Sequence, residues 1–318
     1  MANGSHGRPE RIGVLDVGSN TVLLLVMAAG GRVVREAARI TRLGQGVFAS
    51  GELAPEAVQR TRAAIADFAR LAREDGADQV LAVGTEALRR ARGGRDFLAA
   101  LVRDGLCDDA RLLTGEQEAD VTLEATRLGV GATRRSLAVI DVGGGSTEVA
   151  WRESLEAPVH GISLPLGSVR LTEAHLPRHP VPDADLAELR RLVRAAAQPL
   201  ARALPHGLPG AAVVAVAGTA TTLAALEQEL TVYSGERVEG LELSREVLGR
   251  WLERLRRLSV EERKRLPGLE PGRADVIVAG LVCLEVALAG LGAERFAVSE
   301  RGVRHGVALR ILAGHGPF

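Results

Sequence analysis

A duplicated hairpin motif is the feature that most restricts how this 318-residue chain can fold. In residues 12–26 an apolar run leads to Asp16, then to a glycine turn with hydroxyl side chains, and then to a second apolar run. Residues 137–151 repeat this order around Asp141. Two apolar runs joined by a glycine turn are typical of a β-hairpin. The sequence therefore predicts two hairpins, each with an aspartate at the end of its first strand.

A second matched pair follows the hairpins. Residues 80–84 form an apolar run that ends at Gly84, and residues 213–217 form one that leads to Gly218, each before a helix-like segment. The two copies are 125 positions apart at the aspartates and 134 apart at these glycines. Two pairs in the same order and at similar spacing indicate two tandem copies of one domain.

Helical periodicity fills the intervals between the strands. Apolar residues three to four positions apart predict helices, and clusters of Pro and Gly predict loops. Strands that alternate with helices indicate an α/β fold. The predicted helices are residues 55–74, 184–203, 245–257 and 274–291, and the predicted loops are residues 176–182 and 204–210. The polar residues 1–11 are expected to be a disordered leader.

Composition excludes several classes of chemistry. Lys plus Arg equals Asp plus Glu at 40 each, so no net field attracts nucleic acid or an anionic membrane. Lys264 is the only lysine, which excludes a Walker A loop and a kinase-type strand lysine. The distant Cys107 and Cys283 indicate neither a disulfide framework nor a zinc site and fit a reducing cytoplasm. No apolar stretch is long enough to span a membrane, so we expect a cytoplasmic protein.

The glycine turns have the composition of phosphate-binding loops. Residues 143–145 are all glycine, which lets backbone N–H groups approach an anion, and Ser146 and Thr147 add hydroxyl groups. Such a turn alone favours phosphate binding, and an ordinary tight hairpin is the less favoured alternative. The copy at residues 18–21 favours phosphate binding because two such turns can hold successive phosphates.

The aspartates before these turns indicate a metal ion. A carboxylate beside a phosphate chain repels it unless a hard cation bridges the two, so Asp16 and Asp141 together imply Mg²⁺ held partly through water. Mn²⁺ is the alternative ion. Each aspartate taken singly also fits a turn-capping role.

Two glutamates are candidates for activating a water molecule. Glu118 opens a helical run after the strand-like residues 110–113, where an acidic residue can equally serve a capping box or the helix dipole. For Glu116 a role in the capping box or the helix dipole is the favoured interpretation. Glu148 lies on the strand that returns from the glycine turn, where the alternative is an exposed strand residue. Together Glu118 and Glu148 could orient and deprotonate a water beside a metal-bound phosphate.

Arginine is the expected cationic phosphate ligand because its planar fork matches phosphate oxygens. Arg89 is the leading candidate and Arg170 a weaker one. The arginine-rich segment 250–265 is interleaved with glutamates and is expected to be a solvated helix face. The histidines lack metal-ligand spacing and are interpreted as structural: His160, His175, His179, His206 and His305.

These motifs resemble the exopolyphosphatase and guanosine pentaphosphate phosphohydrolase family from about residue 12 to the C-terminus. The matching segments are residues 16–21, 84–89, 115–119, 141–148, 167–173, 218–219 and 299–306. The resemblance implies two actin-like domains of the RNase H-like, sugar kinase, heat-shock ATPase and actin superfold, with an active-site cleft between them. We expect residues 12–122 with 303–318 to form domain I and residues 123–302 to form domain II.

The resemblance also implies individual roles. Glu118 matches the catalytic base, and Glu148 a second catalytic or metal-linked glutamate; Asp16 and Asp141 match the metal site. The matching phosphate ligands are Ser19, Asn20, Thr21, Arg89, Gly143, Gly144, Gly145, Ser146, Gly218 and Thr219. Thr21 stands where the family usually has serine, which keeps the hydroxyl. The helical C-terminal domains of long family members are not found, so we do not expect their processive grip on long chains or their mode of dimerisation. A homodimer of another kind is kept as an alternative.

Several functions fit these motifs. The leading one is removal of terminal orthophosphate from inorganic polyphosphate by in-line water attack, and its close rival is removal of the 5′-γ-phosphate of guanosine pentaphosphate by the same machinery. A sugar or acetate kinase of the same superfold needs an acceptor pocket that a sequence does not reveal. A non-catalytic phosphate sensor is a further alternative, although the two glutamates argue against it.

Overall fold

The computed structural model describes residues 9–127, residue 129 and residues 136–316. Residues 1–8 of the expected leader lie outside these ranges. The Glu10 N–H donates to Asp78 Oδ2 at 2.8 Å and Arg11 begins the first strand, so the predicted leader extends too far at its end.

The strands follow the predicted pattern of hairpins and single parallel strands. They are β1 Arg11–Val17, β2 Thr21–Ala28, β3 Arg32–Ile40, β4 Gln79–Gly84, β5 Asp109–Leu112, β6 Leu137–Val142, β7 Thr147–Arg152, β8 His160–Leu164, β9 Ala212–Val216, β10 Glu242–Ser244 and β11 Arg295–Val298.

Helices occupy the intervals between these strands. They are α1 Val47–Ser50, α2 Pro55–Glu74, α3 Glu86–Arg90, α4 Gly94–Arg103, α5 Gly115–Arg127, α6 Ser168–His175, α7 Asp183–Ala196, α8 Gln198–Ala203, α9 Ala217–Glu227, α10 Gly235–Val238, α11 Arg245–Arg256, α12 Val260–Arg263, α13 Ile277–Leu291 and α14 Val303–Leu312.

The chain divides into two compact units. The first unit runs to Gln117 and also contains the segment from Val303 onward, and the second unit runs from Glu118 to Gly302. Helix α5 therefore begins in the first unit and continues in the second.

Each unit contains one mixed sheet, and the two sheets share a topology. The strand order is β3-β2-β1-β4-β5 in the first unit and β8-β7-β6-β9-β11-β10 in the second. In both, a three-stranded antiparallel meander is extended by parallel strands: β4 beside β1 and β5 beside β4, or β9 beside β6 and β11 beside β9. The antiparallel strand β10 is an addition to the second sheet. The duplication predicted from the sequence is confirmed at the level of strand order.

Helix α2 shows why the sequence forms these elements. Pro55 occupies its first turn, where the missing N–H leaves no intrahelical bond unmade. Ile65, Phe68 and Ala72 lie on the helix face that is buried against β1 and β2, spaced as a 3.6-residue repeat requires. The helix has the predicted bounds of residues 55–74.

Two helix predictions need correction. The segment predicted as one helix, 184–203, is two helices, because α7 ends at Ala196 and α8 begins at Gln198 with Pro199 in its first turn. Proline has no N–H to continue the hydrogen-bond ladder of a preceding helix. The predicted helix 274–291 begins only at Ile277, after a 3₁₀ turn at Pro271–Arg273.

The prediction that residues 250–265 form a solvated face is wrong at Arg263. This side chain is fully buried; its Nε donates to the Leu255 carbonyl at 2.7 Å and its Nη1 to the Ala274 carbonyl at 3.0 Å. Backbone carbonyls offset the cost of burying the guanidinium, and the loss of water lowers its pKa to about 10.

Among the helices of the described ranges, none combines the length and the apolar character needed to cross a membrane.

Candidate active site

The two predicted phosphate turns have the same backbone geometry. We call residues 18–21 the first turn and residues 143–146 the second turn. The Gly18 N–H donates to the Thr21 carbonyl at 3.1 Å, and the Gly143 N–H donates to the Ser146 carbonyl at 3.0 Å. Each turn thus closes with one hydrogen bond between the two strands of its hairpin.

The carbonyl groups of each turn are held by the chain that follows the third strand of the meander. In the first unit, the N–H groups of Thr41 and Arg42 donate to the Asn20 carbonyl at 3.0 and 2.9 Å, and the Gly44 N–H donates to the Ser19 carbonyl at 2.7 Å. These bonds turn the carbonyl oxygens of the first turn toward the protein.

The second turn is held in the same way by the start of α6. The Ser168 N–H donates to the Gly143 carbonyl at 3.0 Å, and the N–H groups of Val169 and Arg170 donate to the Gly144 carbonyl at 2.9 and 3.1 Å. Arg170, predicted as a side-chain ligand, therefore contacts this turn through its backbone.

The N–H groups at the tips of both turns remain available. Within the described ranges, the N–H groups of Ser19, Asn20, Gly144 and Gly145 donate to no carbonyl. Successive N–H groups with their carbonyls turned away form a nest that binds anions. The side-chain amide of Asn20 is also buried and has no hydrogen-bond partner among the described residues, a cost that a phosphate oxygen would offset.

Two glycines that hold the turns were missed in the sequence. A Cβ atom at Gly44 would lie 2.7 Å from the Cβ of Ser19, and one at Gly167 would lie 2.3 Å from the Gly144 carbonyl oxygen. Only glycine permits these approaches. The signal was present, because a Leu-Gly pair follows the third strand in both copies, at residues 43–44 and 166–167.

Asp141 and Glu148 lie directly opposite each other across the β6–β7 ladder. Opposite residues of an antiparallel pair present their side chains on one face of the sheet. Glu148 is only 3% exposed, and its Oε1 accepts a 2.7 Å hydrogen bond from the Ser163 hydroxyl of β8. Two carboxylates thus share one face beside the second turn, and the alternative that Glu148 is an exposed strand residue is excluded.

This carboxylate pair is a suitable partial ligand set for a hard cation. In the described part of the chain, no cluster of three or more His, Cys, Asp or Glu side chains is arranged to hold a metal. Mg²⁺ commonly takes one or two protein carboxylates and completes its shell with water and phosphate oxygens. Asp141 and Glu148 therefore fit Mg²⁺ by their oxygen donors and by their proximity to the second turn.

Asp16 occupies the corresponding place in the first unit but has a different neighbour. Leu23 lies opposite it across β1–β2. Burial raises the pKa of Asp16 to about 6, although the nearby Arg304 guanidinium acts to lower it. This carboxylate is therefore harder to ionise than an ordinary aspartate in the absence of a bound cation.

Arg304 and His305 belong to the 299–306 motif and lie against Glu36 of β3. Arg304 Nη2 donates to Glu36 Oε1 at 2.6 Å, and His305 Nε2 is 3.3 Å from the same oxygen. Burial would raise the pKa of Glu36, but the His305 hydrogen bond and the Arg304 charge hold it at about 2. His305 is thus part of a buried ionic network in the first unit.

Glu118 lies in the first turn of α5 and is 5% exposed. The capping role at this helix start belongs to other residues, because the Gln117 N–H donates to the Thr114 hydroxyl at 3.2 Å and the Thr114 N–H donates to Gln117 Oε1 at 2.9 Å. The next residue, Ala119, packs with Val139 and Val216 of the second sheet. A capping-box role for Glu118 is therefore excluded.

Arg89 is anchored within the first unit. Its Nη2 donates to Glu86 Oε2 at 2.8 Å and its Nη1 to the Leu113 carbonyl at 2.6 Å, and the side chain is 18% exposed. These contacts fix the guanidinium beside the end of β4. Phosphate contact by Arg89 stays a prediction.

The first residues of α9, 217–219, follow β9, which pairs with the strand that carries Asp141, and we call them the third turn. Ala217 adopts a left-handed φ of 63°, which is strained for a residue with a side chain. A Cβ atom at Gly218 would lie 1.6 Å from Arg273 Nη1, so the Arg273 guanidinium occupies the space above Gly218 that a side chain would take. The structure thus gathers Asp141, the second turn, Glu148 and the third turn at one edge of the second sheet, and sequence reasoning missed Arg273.

Comparisons with known proteins identify the family of this chain. Residues 26–315 match the model of the Ppx/GppA phosphatase family. Exopolyphosphatase 2 of Mycobacterium tuberculosis is 35% identical, over 96% of this chain and 99% of its own length. A crystal structure of the Ppx/GppA family member of Aquifex aeolicus is 29% identical, with a TM-score of 0.79 over 96% of this chain and 99% of that one.

An exopolyphosphatase structure from Cytophaga hutchinsonii shares the fold, with a TM-score of 0.87 at 23% identity over 96% of this chain and 99% of that one. The predicted fold class, α/β with two actin-like domains, is confirmed by these neighbours together with the duplicated sheets. The family match at residues 26–315 includes most of both units and the second turn, and the chain belongs to the Ppx/GppA phosphatase family.

Proposed function

We propose that this protein is an exopolyphosphatase that releases terminal orthophosphate from inorganic polyphosphate. The observation that carries the proposal is the second turn, whose free N–H groups lie beside the opposed carboxylates Asp141 and Glu148. An anion nest next to a cation site suits a metal-bound phosphate. The name of the 35% identical mycobacterial relative supports polyphosphate as the substrate.

The phosphate groups are bound by backbone and hydroxyl donors of the turns. The N–H groups of Gly144 and Gly145 and the Ser146 hydroxyl donate to phosphate oxygens in the second turn. In the first turn Ser19, Asn20 and Thr21 supply the equivalent donors. Thr219 and Arg89 are proposed as further phosphate ligands.

Glu118 is the proposed general base. Its carboxylate accepts a proton from the attacking water as the water oxygen forms a bond to the terminal phosphorus, and the bridging P–O bond breaks in line with that attack. The leaving oxygen departs with the shortened chain. Glu148, oriented by the Ser163 hydroxyl, shares in placing the water and in binding the cation.

Mg²⁺ bound by Asp141 and Glu148, with Asp16 as a further proposed ligand, would supply positive charge against the negative charge that develops on the phosphate oxygens. Aspartate at position 141 sets the affinity for the ion because it is an anionic oxygen donor. We expect Asp141→Asn to raise the Mg²⁺ concentration for half-maximal phosphate release at least 10-fold. An unchanged Mg²⁺ dependence would remove Asp141 from the metal site.

The direct test is phosphate release with Mg²⁺ from long polyphosphate, short polyphosphate, guanosine pentaphosphate and ATP. We expect polyphosphate to be the best substrate, and Glu118→Gln to lower kcat by a factor of about 10² to 10⁴. Glu116→Gln is the matched control, two residues earlier on the same helix, and should keep wild-type activity.

Three outcomes would change the assignment. Preferred cleavage of guanosine pentaphosphate would replace polyphosphate as the substrate while keeping the same chemistry. Wild-type turnover in Glu118→Gln would remove Glu118 as the base. ATP-dependent phosphorylation of a sugar or carboxylate, without phosphate release, would establish a kinase instead.

A further inference from the structure

Helix α13 is the central helix of the second unit. It packs against α6, α7, α9, α11 and β6, and nearly all of its residues are buried. Such a helix needs no glycine for its own fold, since glycine is less favourable than alanine within a helix. Gly280 nevertheless lies in its first turns.

The surroundings of Gly280 account for the glycine. A Cβ atom at this position would lie 2.5 Å from the Oγ1 of Thr219 and 3.0 Å from its Cγ2. Both distances are too short for non-bonded atoms, so any side chain at position 280 must displace Thr219. The bare backbone of α13 is therefore the surface against which the Thr219 side chain rests.

The same point of α13 also contacts α6. The hypothetical Cβ at Gly280 would be 3.4 Å from the Cβ of Ser168. Ser168 holds the second turn through its N–H and its hydroxyl, which donate to the Gly143 carbonyl at 3.0 and 3.3 Å. Gly280 thus lies between the third turn and the residue that fixes the second turn.

One helical turn later, Cys283 continues this contact surface. Burial raises the pKa of its thiol, which the nearby Thr147 hydroxyl acts to lower, and that hydroxyl donates to the Leu166 carbonyl at 2.5 Å. Thr147 is the first residue after the second turn. Residues three apart on a helix lie on one face. Gly280 and Cys283 therefore lie on the face of α13 that packs against the second and third turns.

We propose that Gly280 is a positioning residue for substrate binding: its lack of a side chain places the Thr219 hydroxyl where it can bind a phosphate oxygen. This inference rests on the proposed function, because it takes Thr219 to be a phosphate ligand. Gly280 itself touches no substrate and acts only through Thr219 and Ser168.

The test is Gly280→Ala in the full chain, assayed for phosphate release from polyphosphate. A hydrogen bond to a charged phosphate is lost when Thr219 is displaced, so we expect KM to rise about 10-fold or more while kcat changes less than about threefold. Partial misfolding would instead lower kcat at unchanged KM, because the remaining folded molecules would bind normally. Gly249→Ala is the matched control, since a Cβ atom there meets nothing within 4 Å, and it should keep the wild-type KM.

A double-mutant cycle separates positioning from general damage. If Gly280→Ala acts through Thr219, then Thr219→Ala alone should raise KM by a similar factor, and the double variant should be no worse than either single variant. The double variant should also recover thermal stability, because removal of the Thr219 side chain removes the overlap.

The outcomes are distinguishable. Unchanged KM in Gly280→Ala, or effects of Gly280→Ala and Thr219→Ala that multiply, would overturn the inference while the exopolyphosphatase assignment stands. Absence of phosphate release from the wild-type protein would overturn the proposed function itself.

Discussion

The two hairpins are built alike but differ in one cross-strand pair. In the second, Asp141 faces Glu148, and in the first, Asp16 faces Leu23. Both turns close with the same hydrogen bond, and in both the carbonyl groups accept hydrogen bonds from the chain that follows the third strand. The backbone that we propose to bind phosphate is therefore shared by the two hairpins, whereas a second carboxylate is present only where we place the hydrolytic centre. The two copies keep the same turn geometry and differ in their acidic groups.

The largest expected effect is a loss of kcat that occurs when the acidic residue of the second hairpin is replaced and not when the equivalent residue of the first hairpin is replaced. Glu148→Gln removes a buried carboxylate beside the proposed cation site, and we expect kcat for phosphate release to fall by a factor of about 10² to 10³. Leu23→Gln changes the equivalent position of the first hairpin and should lower kcat less than about threefold. Equal losses in steady-state kinetics would show that the difference between the cross-strand pairs has no catalytic meaning.

The second prediction compares the glycines that hold the turns. Gly167→Ala places a Cβ 2.3 Å from backbone atoms of the second turn, whereas Gly44→Ala places one 2.7 Å from the Ser19 side chain. Backbone yields less than a side chain, so we expect the free energy of unfolding to fall by about 3 kcal/mol for Gly167→Ala and about 1 kcal/mol for Gly44→Ala.

Urea unfolding measures these losses of unfolding free energy, and two optical probes assign them to a unit. Trp151 and Trp251 both lie in the second unit, so tryptophan fluorescence reports that unit, and circular dichroism reports both. A larger loss for Gly44→Ala than for Gly167→Ala would contradict the steric argument.

The third prediction uses the raised pKa of Asp16. Burial raises this pKa from 3.8 to about 6, so charging Asp16 opposes folding. The penalty is absent below pH 4, grows between pH 4 and 6, and is complete above pH 6. In EDTA, Asp16→Asn should therefore match the wild-type stability at pH 4 and exceed it by about 1–3 kcal/mol at pH 8. Denaturant titration at both pH values tests this.

Added Mg²⁺ gives a second comparison of the stability of the wild-type protein and the Asp16→Asn variant. If Asp16 binds the ion, Mg²⁺ should stabilise the wild-type protein at pH 8 more than the Asp16→Asn variant. Equal stability of the two proteins at pH 8 in EDTA would contradict the burial argument.

The smallest effect is expected at the hydroxyl positions of the turns. Thr21→Ser and Ser146→Thr exchange the residues of the two turns and retain the hydroxyl donor in each. We expect kcat/KM for polyphosphate to stay within about twofold for both variants. A loss of 10-fold or more in kcat/KM for either variant would show that the methyl group at this position, and not the hydroxyl alone, affects catalysis.

Local patterns predicted most of the fold. Both hairpins, helix α2 and the strand-to-turn segments at Gly84 and Gly218 depend on neighbouring residues and on periodicity, and the sequence placed them correctly. Asp141, Glu148 and the turns could be proposed as a site from the sequence because they lie within the duplicated motifs; their role stays a prediction.

Long-range contacts were beyond the sequence. The pairing of Arg304 with Glu36 joins residues 268 positions apart, and no local pattern indicates it. Burial of Arg263 among backbone carbonyls likewise depends on where α12 packs. The contact between Gly280 and Thr219 needs two helices to meet, so spacing along the chain cannot reveal it.

Helix α14 packs on β1 and β2, yet it is synthesised after the whole of the second unit. During translation the first sheet therefore emerges without one of its covering helices and without the Arg304 partner of Glu36. The second unit is continuous in sequence and can complete its core from consecutive residues. On the ribosome the order of completion is consequently reversed: the unit that begins the chain is the last to close.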